Sequence, residues 1–231
     1  MTRVPPSRSE CAALCQRECW IFDLDNTLYS ASTKLFSEVD RRITEYIARF
    51  LSIEPTEARD LQKRYFREYG TSMRGLMDKH KMEPGPFLDY VHDIDLSRLQ
   101  AARQLDQALS RLSGRKIIFT NADLGHARRV LAKLEVAHHF EAVFDIADAN
   151  YRPKPEPAVY DQLIERFNVR PAEAVMVEDI AVNLAPAAAL GMATVWVRAP
   201  EHWGNEGASD AHIHHVVDDL PVWLETVTKP D

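Results

Sequence analysis

Cys19-Trp20-Ile21-Phe22-Asp23-Leu24-Asp25-Asn26-Thr27-Leu28-Tyr29 is a short apolar run that stops abruptly in two carboxylates with one residue between them. Cys19 to Phe22 has the character of a buried strand. Packing alone does not explain the acidic pair that ends it. Neighbouring carboxylates repel, and burying them is costly unless a cation or hydrogen-bond donors compensate. Such a pair at a strand end points to a bound metal and a chemical task.

Working outward, residues 1–17 read as an N-terminal extension, with Pro5-Pro6 and Ser7-Arg8-Ser9 disfavouring early structure. After Tyr29 the pattern is helical. Leu35, Val39, Ile43, Tyr46, Ile47, Phe50 and Leu51 recur at helical spacing. Pro55 opens a second helix that Gly70 closes. Short helices are expected over Met73–His80 and Phe87–Val91, and a further one over residues 98–112. From Lys116 the pattern alternates. Strands are expected at 116–120, 142–146, 174–177 and 193–197, with a short one at 215–217. Helices are expected at 124–137, 156–168, 181–190 and about 219–227. Alternation of this kind predicts an α/β fold, a parallel sheet with helices on both faces. A helical block over 30–100 is thus inserted into a core made of 18–29 and 101–231. Inserted blocks often cover the carboxyl ends of the strands, where open α/β sheets bind ligands.

Composition narrows the function. The chain has 231 residues and a net charge of -7, with no basic tract, which argues against a nucleic acid polymer as partner. No apolar run reaches the ~18 residues that span a bilayer. Met1 to Glu18 carries Arg3, Arg8 and Arg17 without an apolar signal region, so a cytoplasmic protein is expected. Cys11, Cys15 and Cys19 are spaced by four. A metal or redox role is one reading; small apolar residues in a helical extension is the other. His212, His214 and His215 read as strand-edge residues, and Trp196, Trp203 and Trp223 as core or loop anchors. Asp145 and Asp148 read as turn residues, and Asp218-Asp219 as the start of the last helix.

Four groups fall at predicted strand ends: Asp23 and Asp25, Thr120-Asn121, Lys154, and Glu178-Asp179. In a parallel sheet these ends share one edge. Acidic side chains there can hold Mg²⁺, a hard cation that prefers oxygen ligands and also takes substrate phosphate oxygens. Asp23 then has the job of attacking phosphorus to give an aspartyl-phosphate, with charge neutralised by the metal and Lys154. The Thr120 hydroxyl and the backbone donor at Asn121 would hold phosphoryl oxygens. Asp25 would protonate the leaving oxygen and later take a proton from water.

Asp23-x-Asp25-x-Thr27, Thr120-Asn121, Lys154-Pro155 and Glu178-Asp179 resemble, in order, the four motifs of the haloacid dehalogenase superfamily, over about residues 18–228. The resemblance implies a Rossmann-like core with an α-helical cap. It also implies Asp23 as nucleophile and Asp25 as acid/base. Asp23, the main-chain carbonyl of Asp25 and Asp179 would bind Mg²⁺, and Thr120 and Lys154 would bind phosphate. Glu178 becomes a second ligand or a supporting group, and Asn183 stands where many members carry a further Asp. Asp25 favours a phosphatase over a dehalogenase, without excluding a mutase. Tyr69-Gly70-Thr71-Ser72-Met73-Arg74-Gly75-Leu76, with the first motif, is similar to the pyrimidine 5′-nucleotidase group. This implies a nucleoside monophosphate such as UMP or CMP as substrate. Tyr69 and Arg74 then either face the nucleoside or pack within the cap and on its surface. The alternatives are a phosphatase or mutase for a sugar phosphate or phosphoglycolate, and a non-catalytic binding protein of the same fold.

Overall fold

The computed structural model describes residues 8–198 and 203–228. Its centre is a six-stranded parallel sheet in the order β3-β2-β1-β4-β5-β6. The strands are β1 (Cys19–Phe22), β2 (Arg115–Phe119), β3 (Ala142–Phe144), β4 (Ala174–Glu178), β5 (Ala193–Val197) and β6 (His215–Val217). All four residues of β1 and all five of β4 are buried. Strands covered on both faces read as continuous apolar runs, and this is why Cys19–Phe22 lacks alternation. One face packs Trp20, Phe22, Ile118 and Val175; the other packs Ile21, Ile117, Phe119 and Met176. β1 lies between β2 and β4, with Phe22 opposite both Ile118 and Val177. The chain therefore winds away in both directions from β1, and the crevice for a ligand opens at its carboxyl end.

The helices are α1 (Arg8–Cys15), α2 (Leu35–Leu51), α3 (Pro55–Tyr69), α4 (Ser72–His80), α5 (Pro84–His92), α6 (Arg103–Arg111), α7 (Leu124–Leu134), α8 (Pro157–Phe167), α9 (Leu184–Ala189) and α10 (Leu220–Thr228). Proline occupies the first turn of α3, α5 and α8, where its missing N–H costs nothing. Helices α2 to α5 pack on one another between β1 and β2, whereas α6 packs on α10.

Several boundaries depart from sequence expectation. The helix expected over 98–112 is only Arg103–Arg111. Ahead of it, the Asp95 carboxylate accepts from Ser97 N at 2.8 Å, a local turn that competes with helix. Leu99 is still buried, but from a loop. The segment 181–190 is a 3₁₀ turn, Ala181–Asn183, followed by α9. The N-terminal extension is structured from Arg8 onward. Cys11, Leu14 and Cys15 form a short apolar face, and Cys15 Sγ donates to Val227 O of α10 at 3.1 Å. Pro5, Pro6 and Ser7 lie outside the described residues. The three cysteines are free, and Cys19 sits in β1 rather than on the helix with the other two. His214 Nδ1 accepts from Thr194 N at 3.0 Å, and Trp196 Nε1 donates to Asp179 O at 2.8 Å. The Trp203 side chain lies outside the described set.

Gly70 is where the helical block meets the sheet edge. Its φ is +79°, and a Cβ there would stand 3.0 Å from both Lys154 O and Pro153 Cγ. The position needs a left-handed backbone and close approach together, which only glycine supplies without strain. Gly70→Ala is expected to lower stability by about 1 kcal/mol or more in urea unfolding. Gly85→Ala, where a Cβ meets nothing within 4 Å, is the matched control and should show no such loss.

Candidate active site

Lys154 organises the site. Its side chain is 1% exposed, and its ammonium donates to Asp23 Oδ1 at 2.8 Å, Glu178 Oε2 at 2.6 Å and Phe119 O at 2.8 Å. Those are all three of its donors. The backbone that carries Lys154 is clasped by Asn121, whose Oδ1 accepts from Lys154 N at 2.9 Å. The Asn121 side chain is thus spent on holding the lysine. Glu178 is fully buried, and its other oxygen accepts from Asp179 N and Ile180 N, both at 3.1 Å.

Asp23 follows β1 directly, with its N–H on Val177 O at 2.9 Å. Its Oδ2 accepts from Thr27 Oγ1 at 2.9 Å. Asn26, with φ 61°, turns the chain so that Thr27 can reach back. Burial and the nearby Glu178 push the Asp23 carboxyl up to about 7, against the pull of Lys154. Asp179 is also raised, by burial first and then by Glu178 and Asp23. One ammonium faces three buried carboxylates, so the site holds more negative charge than its own cation balances. Oxygens of Asp23, Glu178 and Asp179 lie within 4.8 Å of one another. An all-oxygen, acidic donor set of this kind fits a hard divalent cation. Glu178 already serves Lys154 and two N–H groups, so Asp23 and Asp179 are the better ligands.

Thr120 ends β2, 2% exposed, and its hydroxyl oxygen accepts from Ala122 N at 3.0 Å. Accepting that bond leaves the hydroxyl its own proton to donate. Asn183 is buried beside the site, and its carbonyl takes the Tyr160 hydroxyl at 2.6 Å.

Asp25 shows a partner that sequence reasoning missed. Its Oδ1 accepts from Tyr29 OH at 2.6 Å and pairs with His126 Nε2 at 2.9 Å. Burial acts to raise the Asp25 carboxyl, but His126, Tyr29 and His92 outweigh it and hold it below the usual carboxylate value. His126 lies in the first turn of α7, which Asp123 caps by accepting from His126 N at 2.9 Å. The available signal was positional: the first turn of a helix that follows the end of a neighbouring strand.

Asp23, Asp25, Thr120, Asn121, Lys154, Asp179 and Asn183 all border one cavity of about 370 Å³, closed on its far side by α2 to α5. Tyr69 and Arg74, for which facing a nucleoside is one of two readings, do not line it. They border a separate pocket with Gly70, Asp78 and Pro155. Tyr69 packs edge-on to Tyr65 at 5.5 Å, and Arg74 pairs with Asp78 at 3.1 Å. The turn at Gly70 explains the difference, because α4 presents Thr71, Ser72 and Met73 to the cavity instead. Phe36, Phe66 and Phe87 also line the cavity, as do Arg59, Gln62 and Lys63.

Residues 18–191 match the haloacid dehalogenase-like hydrolases, and the chain belongs to that family. It is 24% identical over 93% of its length to phosphate metabolism protein 8 of Saccharomyces cerevisiae, spanning 66% of that longer protein. It is 25% identical over 90% of its length to the glyceraldehyde 3-phosphate phosphatase of Pyrococcus furiosus, covering 92% of it. A phosphatase of this family from Thermococcus onnurineus has the same fold, with a TM-score of 0.61, 20% identity, and coverage of 91% of this chain and 97% of that one. The chain is thus an enzyme of a hydrolase family, with phosphatases among its relatives. Among the described residues no helix is long and apolar enough to cross a membrane.

Removing one partner of the buried cluster should be costly. Glu178→Leu leaves the Lys154 ammonium short of a carboxylate, and a loss of about 3–5 kcal/mol in urea unfolding is expected. Glu178→Gln keeps an acceptor for Lys154 and should lose less.

Proposed function

We propose that the chain is a Mg²⁺-dependent phosphomonoesterase that works through an aspartyl-phosphate on Asp23. The observation that carries this reading is the meeting of Asp23, Thr120, Lys154 and Asp179 at one end of one cavity. Asp23 attacks phosphorus, and the bond from phosphorus to the ester oxygen breaks. Asp25 enters the step protonated on Oδ2, a state that the anionic phosphate bound beside it favours, and gives that proton to the departing oxygen. It then takes a proton from water, which attacks the phosphorus and frees Asp23 and inorganic phosphate. The Thr120 hydroxyl donates to a phosphoryl oxygen. Lys154 holds Asp23 in place and offsets charge that develops on the phosphoryl group. Mg²⁺, held by Asp23, the Asp25 carbonyl and Asp179, would neutralise phosphoryl oxygens. Helices α2 to α5 act as the cap that excludes water and reads the rest of the substrate.

The substrate we favour is a nucleoside monophosphate, with UMP and CMP first. The presence of Phe36, Phe66 and Phe87 in the cavity lining supports this, since a planar base stacks on such rings and a small sugar does not need them. Because Tyr69 and Arg74 lie outside the cavity, base contacts fall to Lys63 and to Arg59, which pairs with Asp40, whereas the Gln62 amide is committed to Asp40 and Thr44. A small sugar phosphate is the second reading, favoured by the triose phosphatase relative.

Asp23→Asn should abolish hydrolysis of p-nitrophenyl phosphate while thermal unfolding stays cooperative. EDTA should stop turnover and added Mg²⁺ restore it. An active Asp23→Asn protein would refute the mechanism. A kcat/KM panel over UMP, CMP, AMP, GMP and several sugar phosphates tests the substrate. At least a tenfold preference for the pyrimidine nucleotides is expected, and equal rates throughout would remove the nucleotidase reading.

A further inference from the structure

We infer that His126 is a positioning residue for Asp25, and that His92 of the helical block braces it. The inference rests on the phosphatase reading, because Asp25 must be the acid for its orientation to matter.

Asp25 lies in the turn beyond β1, outside regular structure. Two bonds converge on its Oδ1, from Tyr29 OH at 2.6 Å and His126 Nε2 at 2.9 Å, and neither engages Oδ2. Tyr29 is four residues away on the same segment and moves with it. His126 is 101 residues away on α7 and refers Asp25 to the sheet. The carboxylate is thereby fixed in rotamer and plane, with Oδ2 left for chemistry. An acid placed this way avoids the rotational search that a loop carboxylate would otherwise make before each transfer.

The His126 ring is not an ordinary core histidine. Its side chain is fully buried, yet Nδ1 has no hydrogen-bond partner among the described residues. A leucine would fill the space without leaving a polar atom bare. The bond to Asp25 is what the imidazole adds. Its ring face is covered by His92, with centroids 4.4 Å apart and planes at 22°. His92 is the last residue of α5 and borders the cavity. It is itself held, since its Nδ1 pairs with Asp123 Oδ2 and its carbonyl accepts from Arg129 Nη2. Asp123 is the same residue that caps α7. A continuous set of contacts therefore runs from α5 through His92 and His126 to Asp25. Seating of the helical block and orientation of the acid are joined at this stack.

The test uses two esters that differ in need for a proton: an alkyl phosphate and 2,4-dinitrophenyl phosphate, whose phenolate leaves unaided. The measure is kcat/KM, which covers steps only through leaving-group release. His126→Leu should lower kcat/KM for the alkyl ester by about 10–100-fold and for the dinitrophenyl ester by less than about threefold. His126→Gln, whose amide nitrogen can stand where Nε2 was, should recover most of the loss. His92→Ala should lower the alkyl ester selectively by a smaller factor. Equal losses on both esters, or no recovery with Gln, would overturn the inference. If His126→Leu does not fold, His126→Asn replaces it, since its amide is too short to reach Asp25. Asp23→Asn in the same assays separates the two failures: activity there defeats the phosphatase reading, whereas an inactive Asp23→Asn with unselective His126 variants defeats the positioning role alone.

Discussion

A single ammonium, that of Lys154, is buried among three acceptors, and the site is built around satisfying it. Charge buried in protein survives only when it is paired and hydrogen-bonded. Asp23, Glu178 and the Phe119 carbonyl meet that requirement from three adjacent strands, β1, β4 and β2. The same contacts fix Asp23, the nucleophile in the proposed reaction, against the sheet, so core stability and site geometry rest on one set of bonds. Glu178 shows the division of labour. It has the residue type of a metal ligand, but its oxygens are committed to Lys154 and to two backbone N–H groups.

The excess of negative charge beyond that lysine gives the site its chemical bias. Asp23 and Asp179 are held in their protonated direction by burial and by one another's neighbours. A divalent cation would offset that excess. Asp25 is set apart from this cluster, since His126 and Tyr29 both meet its Oδ1 and, without a phosphate in the cavity, hold its carboxyl below the usual value. Two carboxylates separated by one residue thus acquire different roles because their surroundings differ, not their sequence.

In the proposed function, specificity belongs to a different part of the chain. The phosphate end of the cavity is walled by strand ends, and the far end by α2 to α5. Gly70 brings that helical block within contact of the Lys154 loop, and His92 stacks on His126. These two contacts tie the helical block to the strand-end cluster.

Strand and helix identities were legible because buried parallel strands are continuous apolar runs and the helices carry clear apolar stripes. The edge position of Asp23, Thr120, Lys154 and Asp179 followed from alternation, since every parallel strand ends on the same side. The helix over 98–112 is shorter than its pattern, because Leu99 continues the apolar stripe but is buried from a loop ahead of Arg103. Of the two readings for Tyr69 and Arg74, the cavity lining favours packing within the cap and on its surface, a choice that spacing leaves open because it does not report which way the chain turns after Gly70. His126 and His92 escaped notice for a related reason. Local pattern determined the sheet, the strand-end chemistry and the existence of a helical insertion. Packing across more than 100 residues decided that Lys154 locks Asp23 and that His126 meets Asp25, and the turn of the helical block decided that Phe36, Phe66 and Phe87 line the cavity. Such contacts depend on register and helix rotation, which no local stretch of sequence contains.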